Sequence, residues 1–281
     1  MGQDKPLPHA VQYFMKKLLY ILVVIFFPNL SYAEKLDKIV YRIVYNADVK
    51  IHKESSMYHE TGILEIGDSI SNFYGLELRN DLNKPKNTGR ARIDLNDPTT
   101  WPTIIALTFG VYRNCSSNGR SIYYHYIREP RIFYYEEDIP QIDWQLVSGD
   151  TTLLDYQCKK ATCKFRGRDW TVYYTMDIPI SEGPWKLCGL PGLVLYARES
   201  LGEFTFSCAG IEKPENAYIE VDKRLWTKVG QKEMEEQLIK FYDDIGDWVL
   251  RAHGFAYIAD YNKKNNVKKH SLIPCLIESF K

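Results

Sequence analysis

The sequence lacks several features that would point directly to a function. It has no net charge, because 36 basic residues balance 36 acidic ones, and so nothing in its composition favours nucleic acid or anionic lipid as a partner. It has no C-x-x-C and no paired-histidine spacing of the kind that binds zinc. It has no G-x-S-x-G and no P-loop, and His59-Glu60 is not followed by the second histidine of H-E-x-x-H. The sequence therefore disfavours an enzyme, and we predict no catalytic residue, metal or cofactor.

Long apolar runs are also scarce, and the clearest one lies near the N-terminus. Leu18 to Phe27 is an unbroken run of ten apolar residues, whereas a membrane-spanning helix needs roughly 20. Two lysines precede this run, and Ser31 to Ala33 places small residues at the positions that a signal peptidase reads. This pattern predicts a secretory signal over residues 15–33, with Glu34 opening the mature chain.

The predicted organisation is one exported domain. Residues 1–14 are interpreted as upstream sequence ahead of the signal, and residues 34–281 as a single domain, because the sequence shows no internal repeat and no clear linker. No later apolar stretch is long enough to hold the mature chain in a membrane.

Six cysteines allow three disulfides in an exported chain, with fifteen possible pairings. One pairing is excluded by geometry. Cys158 and Cys163 belong to one predicted strand, where their Cα atoms would lie roughly 16 Å apart on opposite faces. We expect buried small hydrophobic side chains with one or two bridges.

The fold is predicted to be mainly β, with a helical element (α+β). Tyrosine is abundant, at 21 residues, and aromatic residues suit pleated, half-buried surfaces. Short β-rich runs recur at hairpin spacing, which favours a curved antiparallel sheet or half-barrel of successive hairpins. These runs are 39–51, 61–66, 69–78, 103–113, 121–127, 131–137, 142–147, 155–166, 169–176, 193–199 and 203–208.

The segments between and after these runs are predicted as turns, loops and one helix. Gly167-Arg168 is the predicted turn of the clearest hairpin. Residues 79–98 are interpreted as a long loop with one helical turn, and residues 262–270 as a solvated loop before a short terminal strand. An amphipathic helix is predicted to pack on the sheet through an apolar stripe. Its members are Met234, Leu238, Phe241, Ile245 and Trp248.

The densest motif is a stiff connector between two hairpins, over residues 178–194. Its prolines fix φ and cannot sit in a central strand, and Pro191-Gly192 is typical of a type II turn. Trp185 is expected to fill an apolar gap beneath the loop, with Lys186 extending outward to solvent.

This segment resembles the GLPGLI family, which consists of exported proteins from bacteria with two-membrane envelopes and has no assigned activity. The resemblance rests on Y-x-C-K-K-A-x-x-x-F-R-G-R, I-P-I-x-x-G-P-W-K and G-L-P-G-L-V. It implies a location in the periplasm or on the periplasmic face of the outer membrane. The binding or structural motif residues that it implies are Tyr156, Cys158, Phe165, Arg166, Gly167, Arg168, Pro179, Gly183, Pro184, Trp185, Lys186, Gly189, Leu190, Pro191, Gly192, Leu193 and Val194.

Three functions remain open from the sequence. The first is a non-catalytic carrier that holds an apolar small ligand in a cavity between sheet and helix. The second is a protein-interaction module that meets an outer-membrane partner through the Arg166–Arg168 turn and the Gly183–Gly192 loop. The third is an enzyme, although His125 lies among tyrosines and is interpreted as a hydrogen-bonded sheet residue.

Overall fold

A computed structural model describes residues 33–51, 53, 55–83, 105–116, 118–128, 131–224, 226–252 and 275–278. By backbone contacts the chain divides into two units, 1–34 and 35–281, and nearly all described residues belong to the second. The predicted signal up to residue 32, the loop at 262–270 and the part of the predicted loop from 84 to 98 lie outside the described residues.

Two helices and fourteen strands make up the described chain. The helices are α1 (Leu76–Asn83) and α2 (Gln231–Ala252). The strands are β1 (Glu34–Lys38), β2 (Tyr41–Val49), β3 (Tyr58–Ile66), β4 (Ser71–Gly75), β5 (Phe109–Arg113), β6 (Ser121–Arg128), β7 (Arg131–Glu137), β8 (Gln145–Leu153), β9 (Tyr156–Phe165), β10 (Arg168–Thr175), β11 (Leu193–Glu199), β12 (Phe204–Glu212), β13 (Tyr218–Val221) and β14 (Trp226–Lys228).

Twelve of these strands form one sheet, in the order β14-β7-β6-β5-β4-β3-β2-β12-β11-β10-β9-β8. The sheet consists of two meanders, β2 to β7 and β8 to β12, which are joined where β12 pairs with β2. Every neighbouring pair is antiparallel except β14 and β7, which are parallel. A second sheet pairs β1 with β13. The predicted mainly β, antiparallel class with a C-terminal helix is confirmed.

The large sheet is open at both ends, yet it must bend strongly. Strands β7 and β9 stand nine positions apart in the strand order, which would be roughly 43 Å across a flat sheet. Even so, Arg166 at the end of β9 forms an ion pair with Glu137 at the end of β7. Only a sheet that turns these strands toward each other allows this contact.

Tight turns that contain residues with positive φ connect the paired strands within the hairpins of the second meander. The β9–β10 turn is Arg166-Gly167, with φ of 52° and 78°, which is the type I′ pattern that matches strand twist. The prediction of Gly167-Arg168 is therefore wrong by one residue, because Arg168 already pairs with Phe165.

Two further expectations about elements also change. The predicted strand over 69–78 ends at Gly75, where α1 begins and takes up the start of the predicted loop at 79–98. Residues 275–278 form no strand, so the predicted terminal strand is not found in that part of the described chain.

The main hydrophobic core lies between the two halves of the sheet and α2. Met234 and Leu238 are fully buried in it, and Phe241 packs against it, which confirms this part of the predicted stripe. The side chains of Ile245 and Trp248 lie outside the described residues.

Helix α2 offers a direct test of this packing. We expect Met234→Ala to lower the free energy of unfolding by about 2–5 kcal/mol, because it leaves a cavity in the core. Ile239→Ala on the same helix is the control, because Ile239 is 41% exposed and should cost little. Urea denaturation of both variants measures the difference, and equal losses would contradict this packing of the helix.

Candidate functional site: the motif connector and its buried charges

The motif connector forms an irregular link between β10 and β11, as the sequence predicts. The backbone nitrogens of Leu193 and Val194 donate hydrogen bonds to Ile178 and Glu182, at 3.0 and 2.9 Å. These bonds fold the connector back along the start of β11. The connector is therefore fixed to the sheet at both of its ends.

Most motif residues are inside the protein. The exposed ones are Gly167, Pro179, Gly189 and Pro191, and the partly buried ones are Tyr156, Phe165, Arg166 and Arg168. The buried ones are Cys158, Gly183, Pro184, Trp185, Lys186, Leu190, Gly192, Leu193 and Val194.

Trp185 fills the gap beneath the connector, as predicted. It is fully buried, and its ring lies 5.6 Å from that of Trp170 and 5.5 Å from that of Phe165, measured between centroids. Its backbone has a φ of 52°, which is uncommon for a bulky residue and is maintained here by the surrounding contacts.

Lys186 does not extend to solvent, so that expectation is wrong. Its side chain is 1% exposed, and its Nζ lies 2.5 Å from Glu137 and 2.6 Å from Glu278. Nζ also donates a hydrogen bond of 2.7 Å to the hydroxyl of Tyr135 and lies 4.3 Å from the ring centroid of Tyr123. A buried ammonium needs such partners because leaving water costs several kcal/mol.

Tyr135 completes this cluster as a neutral donor. Burial and the nearby carboxylates of Glu278 and Glu137 raise the pKa of Tyr135. Its hydroxyl therefore keeps its proton and donates to Glu278 at 2.7 Å. Arg166 adds the second cation, paired with Glu137 and 3.8 Å from Glu278. Two cations thus face two carboxylates.

Arg168 is held in a second buried cluster. It forms ion pairs with Glu199 at 3.1 Å and Glu203 at 2.8 Å, and its guanidinium lies 4.7 Å from the ring centroid of Phe204. Glu199 in turn accepts backbone hydrogen bonds from the β11–β12 turn, including one of 2.7 Å from Leu201. Arg168 is therefore part of the structure of that turn.

A fourth cation, Arg113 on β5, holds the connector itself. It donates to the carbonyl of Gly183 at 3.0 Å and to the carbonyl of Trp185, and it pairs with Glu182. Its side chain is 3% exposed. Arg113 lies outside the motif, and its role could not be read from the sequence because its carboxylate partner is 69 residues away.

Gly192 is required by close packing and not by a left-handed turn. Its φ is not in the left-handed region, so the predicted type II turn is not formed there. A Cβ at this position would lie 2.0 Å from the carbonyl oxygen of Thr175. Thr175 is the last residue of β10, so its backbone cannot make room for a side chain without disturbing that strand.

The cysteines are all thiols in the structure, so the expected bridges are not formed. Burial raises the pKa of Cys163 and of Cys275 to about 12, and that of Cys208 to about 11. Because the thiolate is the reactive form, these thiols are poorly suited to nucleophilic chemistry.

The cavity between α2 and the sheet is small. It is lined in part by Thr108, His125, Leu238 and Cys275, and it has about 20 Å³ of space, which is room for about one water molecule. An apolar ligand needs a pocket of roughly 300–1,000 Å³. This cavity is therefore too small for the cargo that a carrier would hold.

The comparisons with known proteins add a family match over part of the motif. Residues 166–196 match a family described as "Protein of unknown function (Porph_ging)". Two solved structures of PNGF-II, in space groups P21 and C2, share 15% and 16% sequence identity with the chain, at TM-scores of 0.49 and 0.48. Each match covers 72% of this chain and 33% of the other, so the chain spans about a third of that protein. No curated protein matches the chain.

The close contact at Gly192 predicts a large effect from a single methyl group. We expect Gly192→Ala to lower the free energy of unfolding by about 1–3 kcal/mol, because the added carbon overlaps the backbone of Thr175. Gly210→Ala is the control, since a Cβ there meets no atom within 4 Å. Urea denaturation compares the two, and a neutral Gly192→Ala would contradict the close approach.

His125 predicts a pH dependence of stability. Burial lowers the pKa of His125 from 6.5 to about 4, so the unfolded chain binds its proton at a higher pH than the folded chain does. Stability should therefore fall by about 2–3 kcal/mol as the pH drops from 6.5 toward 4. His125→Gln should lose correspondingly less over this range in urea titrations at pH 7 and 4.5. Identical pH profiles for the two proteins would refute this.

Proposed function

We propose that the chain is an exported, non-catalytic binding protein of the cell envelope that pairs with an extended segment of a partner protein along strand β8. The export signal over residues 15–33 is a prediction from the sequence. None of the helices in the described ranges is long and apolar enough to cross a membrane.

The observation that carries this proposal is the open edge at β8. One side of β8 pairs with β9, and among the described strands none pairs with its other side. All six residues from Gln145 to Asp150 are exposed. The opposite edge of the sheet, β14, has only three residues.

The side chains of β8 also favour a strand partner. Natural edge strands are usually protected by charged side chains such as lysine, by proline, by a β-bulge or by a short length. Strand β8 has nine residues and contains neither lysine nor proline, although it has an irregularity between Val147 and Thr151. Leu146 is 67% exposed and Val147 38%. Strand addition would cover these apolar side chains and satisfy the free backbone groups.

The two other hypotheses have less support. The cavity of about 20 Å³ is too small for an apolar cargo. The Arg166–Arg168 turn makes a poor interface, because Arg166 and Arg168 are paired with carboxylates of the same chain and their side chains are 25% and 9% exposed. We therefore retain the hypothesis of a protein-interaction module, but we propose the β8 edge, and not the motif, as its binding surface.

Cross-linking from β8, followed by a substitution that places a charge on this edge, tests this proposal. A photo-reactive residue at position 146 should cross-link an extended segment of an envelope protein in cells, and a peptide of that segment should bind the purified chain. We expect Leu146→Lys to weaken this binding at least tenfold, because an added strand would bury the ammonium. Hydrogen exchange should show new protection at residues 145–150 on binding.

Leu201→Lys provides the matched control, because Leu201 is 70% exposed and lies on the β11–β12 turn. This variant should bind the peptide as the wild type does. Equal loss in both variants, or cross-linking that is as strong from position 201 as from 146, would rule out the edge as the binding surface.

A further inference from the structure

Residues 275–278, here called the strap, lie on the buried charges of the motif. Cys275, Ile277 and Glu278 are 5%, 4% and 1% exposed. The strap belongs to no helix or strand. Its burial therefore depends on hydrogen bonds and packing contacts with the residues around it.

The backbone of the strap is held at two points. The nitrogen of Cys275 donates to the carbonyl of Ile51 at 3.0 Å. The guanidinium of Arg168 donates to the carbonyl of Leu276 through two nitrogens, at 3.0 and 2.5 Å. Contacts of this kind recognise any extended peptide, whatever its side chains.

The side chains of the strap are held as well. Glu278 accepts hydrogen bonds from Lys186 at 2.6 Å and from Tyr135 at 2.7 Å. Ile277 packs in the main core. The groove therefore recognises a peptide carbonyl, an apolar side chain one residue later and a carboxylate one residue after that.

We propose that this groove is a binding site for an extended acidic-apolar peptide segment of a partner protein, and that the strap occupies it from within the same chain. Without Glu278, the cations Lys186 and Arg166 face only the carboxylate of Glu137, so the groove carries one excess positive charge that attracts a carboxylate. This site is separate from the β8 edge.

The strap is suited to exchange because its four residues belong to no helix or strand. The small cavity of about 20 Å³ is lined by all four strap residues together with Phe109, His125 and Leu238, so a small space remains beside the strap. A partner segment must compete with the strap, and its apparent affinity falls by the fraction of chains in which the groove is empty.

The first experiment measures opening in the wild-type chain. Cys275 and Cys163 are 5% and 6% exposed, and burial raises both thiol pKa values to about 12. If the strap detaches without global unfolding, maleimide should label Cys275 at least tenfold faster than Cys163. Equal labelling rates in the reduced protein would overturn the proposal.

The second experiment measures binding of a probe peptide with the sequence of residues 272–280 and serine in place of cysteine. The full chain with Glu278→Gln should bind this peptide at least tenfold more tightly than the wild type, because the strap has lost its charged contact. A peptide with glutamine at the position of Glu278 should bind that variant at least tenfold more weakly. In the wild type, the glutamate peptide should raise the labelling rate of Cys275.

Two results would reject the site. One is equal affinity for the glutamate and glutamine peptides, and the other is labelling of Cys275 that does not respond to the peptide. Leu146→Lys separates this proposal from the edge proposal, because it should leave binding of the probe peptide unchanged. Loss of peptide binding in Leu146→Lys would place the peptide on the edge and not in the groove.

Discussion

The structure depends on the burial of one ammonium group. Lys186 is placed in the core by the connector and is surrounded by Glu137, Glu278 and Tyr135. A buried cation is tolerated only with such compensation, so β7, the connector and a carboxylate at the position of Glu278 must be in place together. The same cluster also joins distant strands of the bent sheet, because Arg166 at the end of β9 pairs with Glu137 at the end of β7.

The buried charges change the meaning of the motif. A glycine- and proline-rich loop with arginines nearby is typical of an exposed recognition surface, yet here its cations hold distant parts of one chain together. Within the motif, Arg168 binds the carboxylates at the β11–β12 turn. From outside the motif, Arg113 binds the carbonyls of the connector. The motif is thus the centre of the architecture, and the surface available to other molecules lies elsewhere or becomes available when the strap moves.

Local physics made much of the fold predictable. Alternation and turn residues identified the hairpins of both meanders, and the spacing of Met234 and Leu238 identified the packed face of α2. The connector was recognised from its prolines, and the burial of Trp185 from its size. The partners of the cations could not be predicted, because Lys186 and Glu278 are 92 residues apart and no periodic pattern relates them. The outward orientation expected for Lys186 failed because that expectation considers one side chain and its solvent, without the carboxylates that the fold brings to it.

The joining of the two meanders has a consequence for the order of folding. Strand β2 pairs with β3 nearby in the chain, but its other neighbour is β12, so that Val49 lies opposite Phe204. The chain is synthesised from its N-terminus, and more than half of the sequence that follows β2 must be made before β12 can pair with it. Pairings between such distant segments form slowly, since a long loop must be closed first. The first meander therefore leaves one edge of β2 unpaired until β12 is available, which makes the pairing of β2 with β12 a late step in folding.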